Sequence, residues 1–405
     1  FLVFNLELIL MEKIQKLVIA AAKRTPIGVF QGSISPVSGP DLGAKVIGGI
    51  LEETMLDPAS VNEVIMGNVL AAGLGQAPAR QAALGSGLPD TVECITINKM
   101  CGSGLKAAMM ATQAIQVGDA DIIIAGGFEN MSQAPYLLSK GRDGYRLGHG
   151  ELIDSMITDG LWDVYNDTHM GNCAEICARD RHYTKEDQND FAKESYARAL
   201  DAQKTGSFND EIIAVDVMDR KRNTVTINID EEPGRANFDK MDKLRPAFEK
   251  DGTVTAGNAS KINDGAAGVL LISETKATEL GFTPLVRIIS QASAAQEPEW
   301  FTTAPIKAIS KVLEKAGMGV ADIDLWEINE AFAPVTMAVM DDFNLDHSIV
   351  NVKGGAIALG HPIGASGART LTTLIHALKS QDVTTGLVTL CIGGGEASAM
   401  IVERV

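Results

Sequence analysis

Three short stretches of this chain carry residue types that could do nucleophilic chemistry. In "ITINKMCGSG", residues 95–104, Cys101 stands between an apolar run and a Gly-Ser-Gly turn that opens onto the helix-like "LKAAMMATQAI". A thiol at a strand-to-helix junction meets unpaired main-chain N–H groups and the positive end of a helix dipole, and both favour thiolate. Cys101 therefore reads as a nucleophile or, since cysteine is among the most buried residue types, as a small core residue. In "GGAIALGHPIGASG", residues 354–367, His361 is held between glycines and a proline before a second helix, where main chain can approach a ligand closely. In "TLCIGGGEAS", Cys391 ends a predicted strand, and the three glycines after it let N–H groups converge on an oxyanion.

The elements that must position these residues follow from apolar patterning. Short β-rich runs ("KLVIAAA", "EVIMGNVL", "ECITINKM", "DIIIAGG", then "PLVRIIS", "DLWEINEA", "SIVNVKG", "TGLVTLCIGGG") alternate with Ala-rich amphipathic stretches, which predicts α/β sheets with crossover helices. "SGLKAAMMATQAIQVGDADIIIAGGFENMS" and "SGARTLTTLIHALKSQDVTTGLVTLCIGGGEAS" share a Ser-Gly turn, a basic residue two positions on, a helix, a strand and a Gly-Gly pair followed by glutamate. That matched order predicts an internal duplication and two similar sheet domains.

Between the two, roughly residues 132–260, charges and breakers crowd the chain, the pattern of an insertion that carries lids, binding loops or oligomer contacts. Within it, "KEDQNDFAKESYARALDAQKTG" predicts a helix closed by Gly206, its charges a solvated face. "HMGNCAEIC" sets His169, Cys173 and Cys177 four residues apart, yet three ligands on one rod do not enclose a tetrahedral ion and no Cys-x-x-Cys pair supplies a fourth. No metal is assigned.

Composition bounds the function. The 405 residues, 45% hydrophobic and 21% charged, suffice for two or three domains. A formal charge of -17 argues against a nucleic-acid footprint. Five scattered cysteines do not make a disulfide framework and fit a reducing, cytoplasmic setting. The opening "FLVFNLELIL" has no cationic start and no small-residue cleavage site, so Met11 reads as the start and residues 1–10 as an appended extension or an N-terminal strand. No later run reaches the about 18 apolar residues of a membrane span.

"NKMCGSG", "HMGNCAE", "KLRPAF", "TVTAGNAS", "INEAFA", "GGAIALGHPIGASG" and "CIGGG" also occur in the order and at the approximate spacings of one family. From about Met11 to Val405 the chain resembles the thiolases, most closely those acting on acetyl-CoA. The resemblance implies two βαβαβαββ halves in a five-layered αβαβα core: residues 11–131 with 262–284, then 285–405, with 132–261 as an inserted loop domain for CoA binding and oligomer contacts. It implies that Cys101 accepts the acyl group, that His361 takes the Cys101 proton, and that Cys391 exchanges the α-proton of the second substrate. An enolate-side oxyanion hole would combine His361 with a water held by Asn329. The N–H groups of Cys101 and Gly393 would serve the acyl-enzyme.

For CoA the resemblance points to Leu161, His169, Met170, Leu244, Ala247, Phe248, Ala256, Ser260, Ala331 and Phe332, mostly apolar as a pantetheine slot should be. Lys261 stands where the family has glycine, Arg235 is a substitute for a displaced cationic contact, and Glu396 and Ser398 depart from an apolar tail. The activity implied is reversible condensation of two acetyl-CoA, with CoA as substrate and product, no further cofactor, and a homo-oligomer, dimer or tetramer. The alternatives are a broader 3-ketoacyl-CoA thiolase of β-oxidation and a non-catalytic acyl-CoA or lipid carrier. A carrier would not need Cys101, Asn329, His361 and Cys391 together.

Overall fold

A computed structural model describes residues 15–219 and 221–405; the choice between extension and strand for residues 1–10 lies outside the described residues. The first half runs β1 (Leu17–Arg24), α1 (Gly39–Thr54), β2 (Glu63–Gly67), α2 (Pro78–Gly85), β3 (Glu93–Ile97), α3 (Ser103–Val117) and β4 (Ile122–Asn130). Residues 132–261 follow, with α4 (Met170–Asp180), α5 (Lys185–Thr205) and short hairpins, before β5 (Asn263–Ser273) returns to the sheet. The second half is β6 (Val286–Ala295), α6 (Ala304–Ala316), β7 (Leu325–Ile328), α7 (Ala333–Phe343), α8 (Ile363–Gln381), β8 (Thr385–Ile392) and β9 (Glu396–Arg404).

The strand order is β7-β8-β9-β6-β1-β5-β4-β2-β3. Each half repeats one scheme: β1-β5-β4-β2-β3 in the first and β6-β9-β8-β7 in the second, the halves meeting where Val18 and Ile19 of β1 pair with Arg287 and Val286 of β6. The parallel pairs are β4–β2, β2–β3 and β7–β8, joined by crossover helices as parallel geometry demands. One predicted strand is missing. "SIVNVKG" makes only a helical turn at His347–Ile349 and a single bridge from Val350 to Trp326, in the place that β3 fills in the other half. Apolar Ile349 and Val350 are separated by polar Asn351 and Lys353 from any longer run, and Asn351 turns into a positive φ that ends the pairing.

Three apolar clusters hold five layers together, the middle one packing against both sheets. Val46, Ile47 and Ile50 of α1 pack on Val64, Ile124 and Leu270. Leu105, Ala108 and Ile115 of α3, with Leu371, Leu374 and Ile375 of α8, fill the middle between Ile123, Val269 and Leu271 on one side and Val388, Leu390 and Met400 on the other. Ala308, Ile309 and Val312 of α6 cover Leu387, Ala399 and Ile401. Every residue of α8 from Ile363 to Leu378 is buried, as befits a helix enclosed by two sheets. Strands β4, β5 and β8 are buried along their whole length, the signature of sheets covered on both faces. The long helix of the insertion, α5, begins at a Thr184–Asp187 capping box and stops at Gly206 in the left-handed region.

Candidate active site

The repeated Ser-Gly turns explain why distant residues meet. Helices α3 and α8 cross where a Cβ on Gly104 would stand 2.6 Å from the Ala368 nitrogen, and one on Gly367 would stand 2.3 Å from that of Leu105. Only glycines permit so close a crossing. Cys101 lies just before α3 and His361 just before α8, so the approach of the two helix starts sets both at one place.

There a cavity of about 920 Å³ is lined by Cys101, His361 and Gly393 together with Leu161, His169, Met170, Leu244, Ala247, Phe248, Ala256, Ser260, Ala331 and Phe332. All ten residues expected at CoA therefore share one wall with the candidate nucleophile and base. The insertion supplies eight of them, from Leu161 to Ser260. Their chain is shaped by ordinary local chemistry: the His169 ring caps α4 by accepting the Gly171 N–H at 3.1 Å and packs at a tilt of 31° on Phe248, 4.8 Å between centroids. Cys173 and Cys177 are buried in the helix beyond it, and Cys177 points to the Pro334 carbonyl.

The Cys101 sulfur receives the N–H groups of Gly393 and of Cys101 itself, but burial outweighs them and pushes its thiol up to about 11. Against the thiolate that the helix start favours, the enclosed thiol rests protonated, because the desolvation cost of the anion exceeds what two N–H groups return. It needs a base. His361 is held as neutral imidazole, its pKa lowered to about 3 by burial and by the nearby Arg369. Ser366 Oγ donates to the Pro362 carbonyl at 2.9 Å and so accepts from His361 Nδ1 at 2.6 Å. That assigns the proton to Nδ1 and leaves the Nε2 lone pair free; Nε2 is buried with no partner among the described residues.

Two expected residues stay behind the cavity wall. Cys391 is fully buried near the end of β8, packed among Met170, Phe332 and Val335; burial first, and then the neighbouring Cys101, push its thiol well above the ordinary range. Asn329 follows β7 with its main-chain N–H on the Thr389 carbonyl at 3.1 Å. Both side-chain amide atoms of Asn329 are buried and unpartnered among the described residues, the state of a group kept for a water or ligand.

Sequence reasoning missed Ser366 and Glu129, though both lie in quoted motifs. Ser366 is the serine of the second Ser-Gly turn, one helical turn past His361. Glu129, buried at the end of β4, accepts N–H groups from Val69, Leu70 and Gly364 at 3.0–3.1 Å and the Asn68 amide at 2.6 Å, which fixes the start of α8 beside His361. A glutamate inside an otherwise apolar strand was the available signal. Two of the departures are locally paired: Glu396 meets Lys99, and the buried Ser398 faces Ser293 across β6–β9 at 3.0 Å. Arg235 lines the cavity from its exposed side, while Lys261 lines it more deeply.

Comparison with known proteins agrees with this geometry. Residues 17–275 match the thiolase N-terminal domain model and residues 282–404 the thiolase C-terminal domain model. The acetyl-CoA acetyltransferase of Allochromatium vinosum is 51% identical over 391 residues, covering 96% of this chain and 99% of that one. The crystal structure of the Bacillus anthracis acetyl-CoA acetyltransferase superposes with a TM-score of 0.95 at 41% identity, over 97% and 100% of the two chains. A thiolase from Ascaris suum solved with coenzyme A gives 0.92 at 43% identity, over 96% and 100%. With both domain models matched end to end and the duplicated sheets meeting at one cysteine-lined cavity, the chain belongs to the thiolase family.

Proposed function

We propose that the protein is an acetyl-CoA C-acetyltransferase that joins two acetyl-CoA into acetoacetyl-CoA and free CoA, and runs the reverse thiolysis. The observation that carries this reading is the shared cavity in which a neutral histidine with a free Nε2 lone pair accompanies Cys101. His361 Nε2 takes the Cys101 proton, and Sγ attacks the thioester carbonyl. The carbonyl–CoA sulfur bond breaks, CoA leaves with that proton as free thiol, and the acetyl group stays on Cys101. With His361 neutral again, Cys391 passes its own proton to Nε2, and its thiolate, made a strong base by the burial that favours the thiol, removes an α-proton from the second acetyl-CoA. The enolate carbon attacks the acetyl-cysteine, the Sγ–carbonyl bond breaks, the Cys101 sulfur takes the proton held by His361, and acetoacetyl-CoA forms.

The N–H groups of Cys101 and Gly393 stabilise the tetrahedral states, and donors of this kind are worth about 3 kcal/mol each in acyl transfer. His361 and a water held by Asn329 face the enolate oxygen. CoA is substrate and product, and no further cofactor or metal enters the scheme. Preference for acetyl is supported by Met170, whose methyl group lies 3.7 Å from where a Gly393 Cβ would be and so fills space beside the reacting sulfur. Among the described residues no helix is long and apolar enough to cross a membrane. A cytoplasmic homo-oligomer, dimer or tetramer, is part of the same reading.

Incubation with acetyl-labelled acetyl-CoA alone, followed by peptide mapping, tests it. Label on Cys101 is the expected result. Label on Cys391, or none in active protein, overturns the division of labour. Equal thiolysis of four-carbon and ten-carbon ketoacyl-CoA would favour the β-oxidation reading instead.

A further inference from the structure

The strap of residues 258–263 ties three parts of the cavity together. Ala333 N–H donates to the Asn258 carbonyl and Ser260 N–H to the Ala331 carbonyl, both at 3.0 Å, and His361 N–H donates to Asn263 Oδ1 at 3.0 Å. In the middle of the strap sits a cation. Lys261 Nζ donates to the Ala259 carbonyl at 2.6 Å and reaches the Ile357 carbonyl at 3.4 Å, bridging the strap to the turn four residues before His361. The Ile357 peptide is held at its other end as well, its N–H on Glu330 Oε2 at 3.1 Å. Nζ also lies 5.7 Å from the centre of the Tyr196 ring on α5, within cation–π range, and the Tyr196 hydroxyl donates to Glu232 at 3.1 Å. Lysine is costly in such a place, because an ammonium gives up its hydration there. Its two carbonyl acceptors converge with their negative ends on one point, an arrangement that a positive charge between them stabilises.

We propose that the Lys261 ammonium is an internal cation that positions the walls of the acyl-CoA cavity, holding the Ala259–Ser260 turn against the Ile357 turn that leads to His361. It is a positioning residue that acts through two main-chain carbonyls. The proposal rests on the acyl-CoA reading of the cavity. Enclosure lowers the lysine to about 8, although Glu232 and Glu330 hold it up. The other charged or titratable groups facing it are Tyr196 on α5, whose phenol is pushed far up, Arg235 on the turn after Glu232, and His361, which is neutral. As pH rises through about 8 the ammonium therefore loses its proton and the brace loosens.

The test measures CoA binding by calorimetry and thiolysis kinetics for the full-length protein and for Lys261→Met and Lys261→Gly, from pH 6.5 to 9. Both variants should raise the CoA Kd and the KM together by about 10- to 100-fold, the range carried by one or two charge-assisted hydrogen bonds, with a smaller change in kcat. The unmodified protein should lose CoA affinity as pH crosses about 8, whereas Lys261→Met should bind with a flat profile. Added ammonium chloride should restore Lys261→Gly by entering the vacated site, and choline chloride should not. Wild-type CoA affinity and pH profile in Lys261→Met would overturn the proposal. So would Lys261→Gly with an unchanged melting temperature and no response to ammonium. Absence of thiolysis in the unmodified protein would strike the enzymatic reading instead, while the CoA titrations still decide the brace.

Discussion

Replacing Ser366 with alanine removes one oxygen that does two things: it holds the imidazole of His361 through Nδ1 at 2.6 Å and is itself held by the Pro362 carbonyl at 2.9 Å. Alanine leaves Nδ1–H buried without an acceptor, and an unsatisfied buried donor costs about 1–3 kcal/mol. The imidazole escapes that cost by moving its proton to Nε2 or by rotating, and both remove the Nε2 lone pair proposed to take the Cys101 proton. Since 1.36 kcal/mol is a factor of ten, the rate of Cys101 acylation should fall about 5- to 150-fold. Single-turnover acylation with labelled acetyl-CoA reads this directly, and alkylation of Cys101 by iodoacetamide should slow in parallel because it draws on the same proton transfer. CoA binding should hold, since Ser366 is buried behind His361 and does not line the cavity. Wild-type acylation and alkylation rates in a folded Ser366→Ala protein would refute the tautomer argument. A loss of CoA affinity equal to the loss in acylation would show a general collapse of the site in place of a misplaced proton.

Cys391→Ser should keep acetyl exchange between CoA and enzyme while losing most condensation, because only condensation needs α-proton removal; equal loss of both in exchange and condensation assays would merge the two roles. Met170→Gly should relax the chain-length preference, raising thiolysis of 3-ketohexanoyl-CoA relative to acetoacetyl-CoA by about 10- to 100-fold, since a filled apolar pocket rejects extra methylenes by about 1–3 kcal/mol. An unchanged ratio in the two assays would remove Met170 from the acyl pocket. His361 also makes a pH prediction. Its folded pKa of about 3 lies below the ordinary 6.5, so the unfolded chain binds a proton that the folded one refuses, and stability falls as pH drops below 6.5. The slope from this group approaches about 1.4 kcal/mol per pH unit, and His361→Asn should flatten urea-unfolding stability between pH 6 and 4 by that amount. Identical slopes in the two proteins would mean that His361 is solvated when folded.

Periodicity and breakers alone made the α/β class, the duplication and the intervening insertion legible, because a buried parallel strand such as Ile122–Asn130 must be nearly continuous in apolar residues and a crossover helix such as Ser103–Val117 must follow a turn. Residue type singled out Cys101, His361 and Cys391 as candidates, a cysteine at a helix start, a histidine among glycines and a cysteine at a strand end before three glycines, while their roles and the ten wall residues came from the family resemblance that motif order carries. The protonation states belong to the tertiary structure. Cys101 and His361 are 260 positions apart in the chain, and only the glycine crossing of α3 and α8 puts them in one low-dielectric cavity, where burial reverses the thiolate preference that the helix start suggested. Ser366, Glu129 and the role of Lys261 escaped for a related reason. Their partners are a histidine tautomer, main-chain N–H groups from three segments and two converging carbonyls, none of which exists until the chain has folded. The strand lost at Val350 shows the same limit, because "SIVNVKG" has strand composition but ends its pairing where the Asn351 side chain bonds to both sides of Ile328, its Oδ1 accepting the N–H and its Nδ2 donating to the carbonyl. Sequence thus set which chemistry was present, and packing decided which proton each group holds, because solvation and hydrogen-bond partners are properties of neighbours in space.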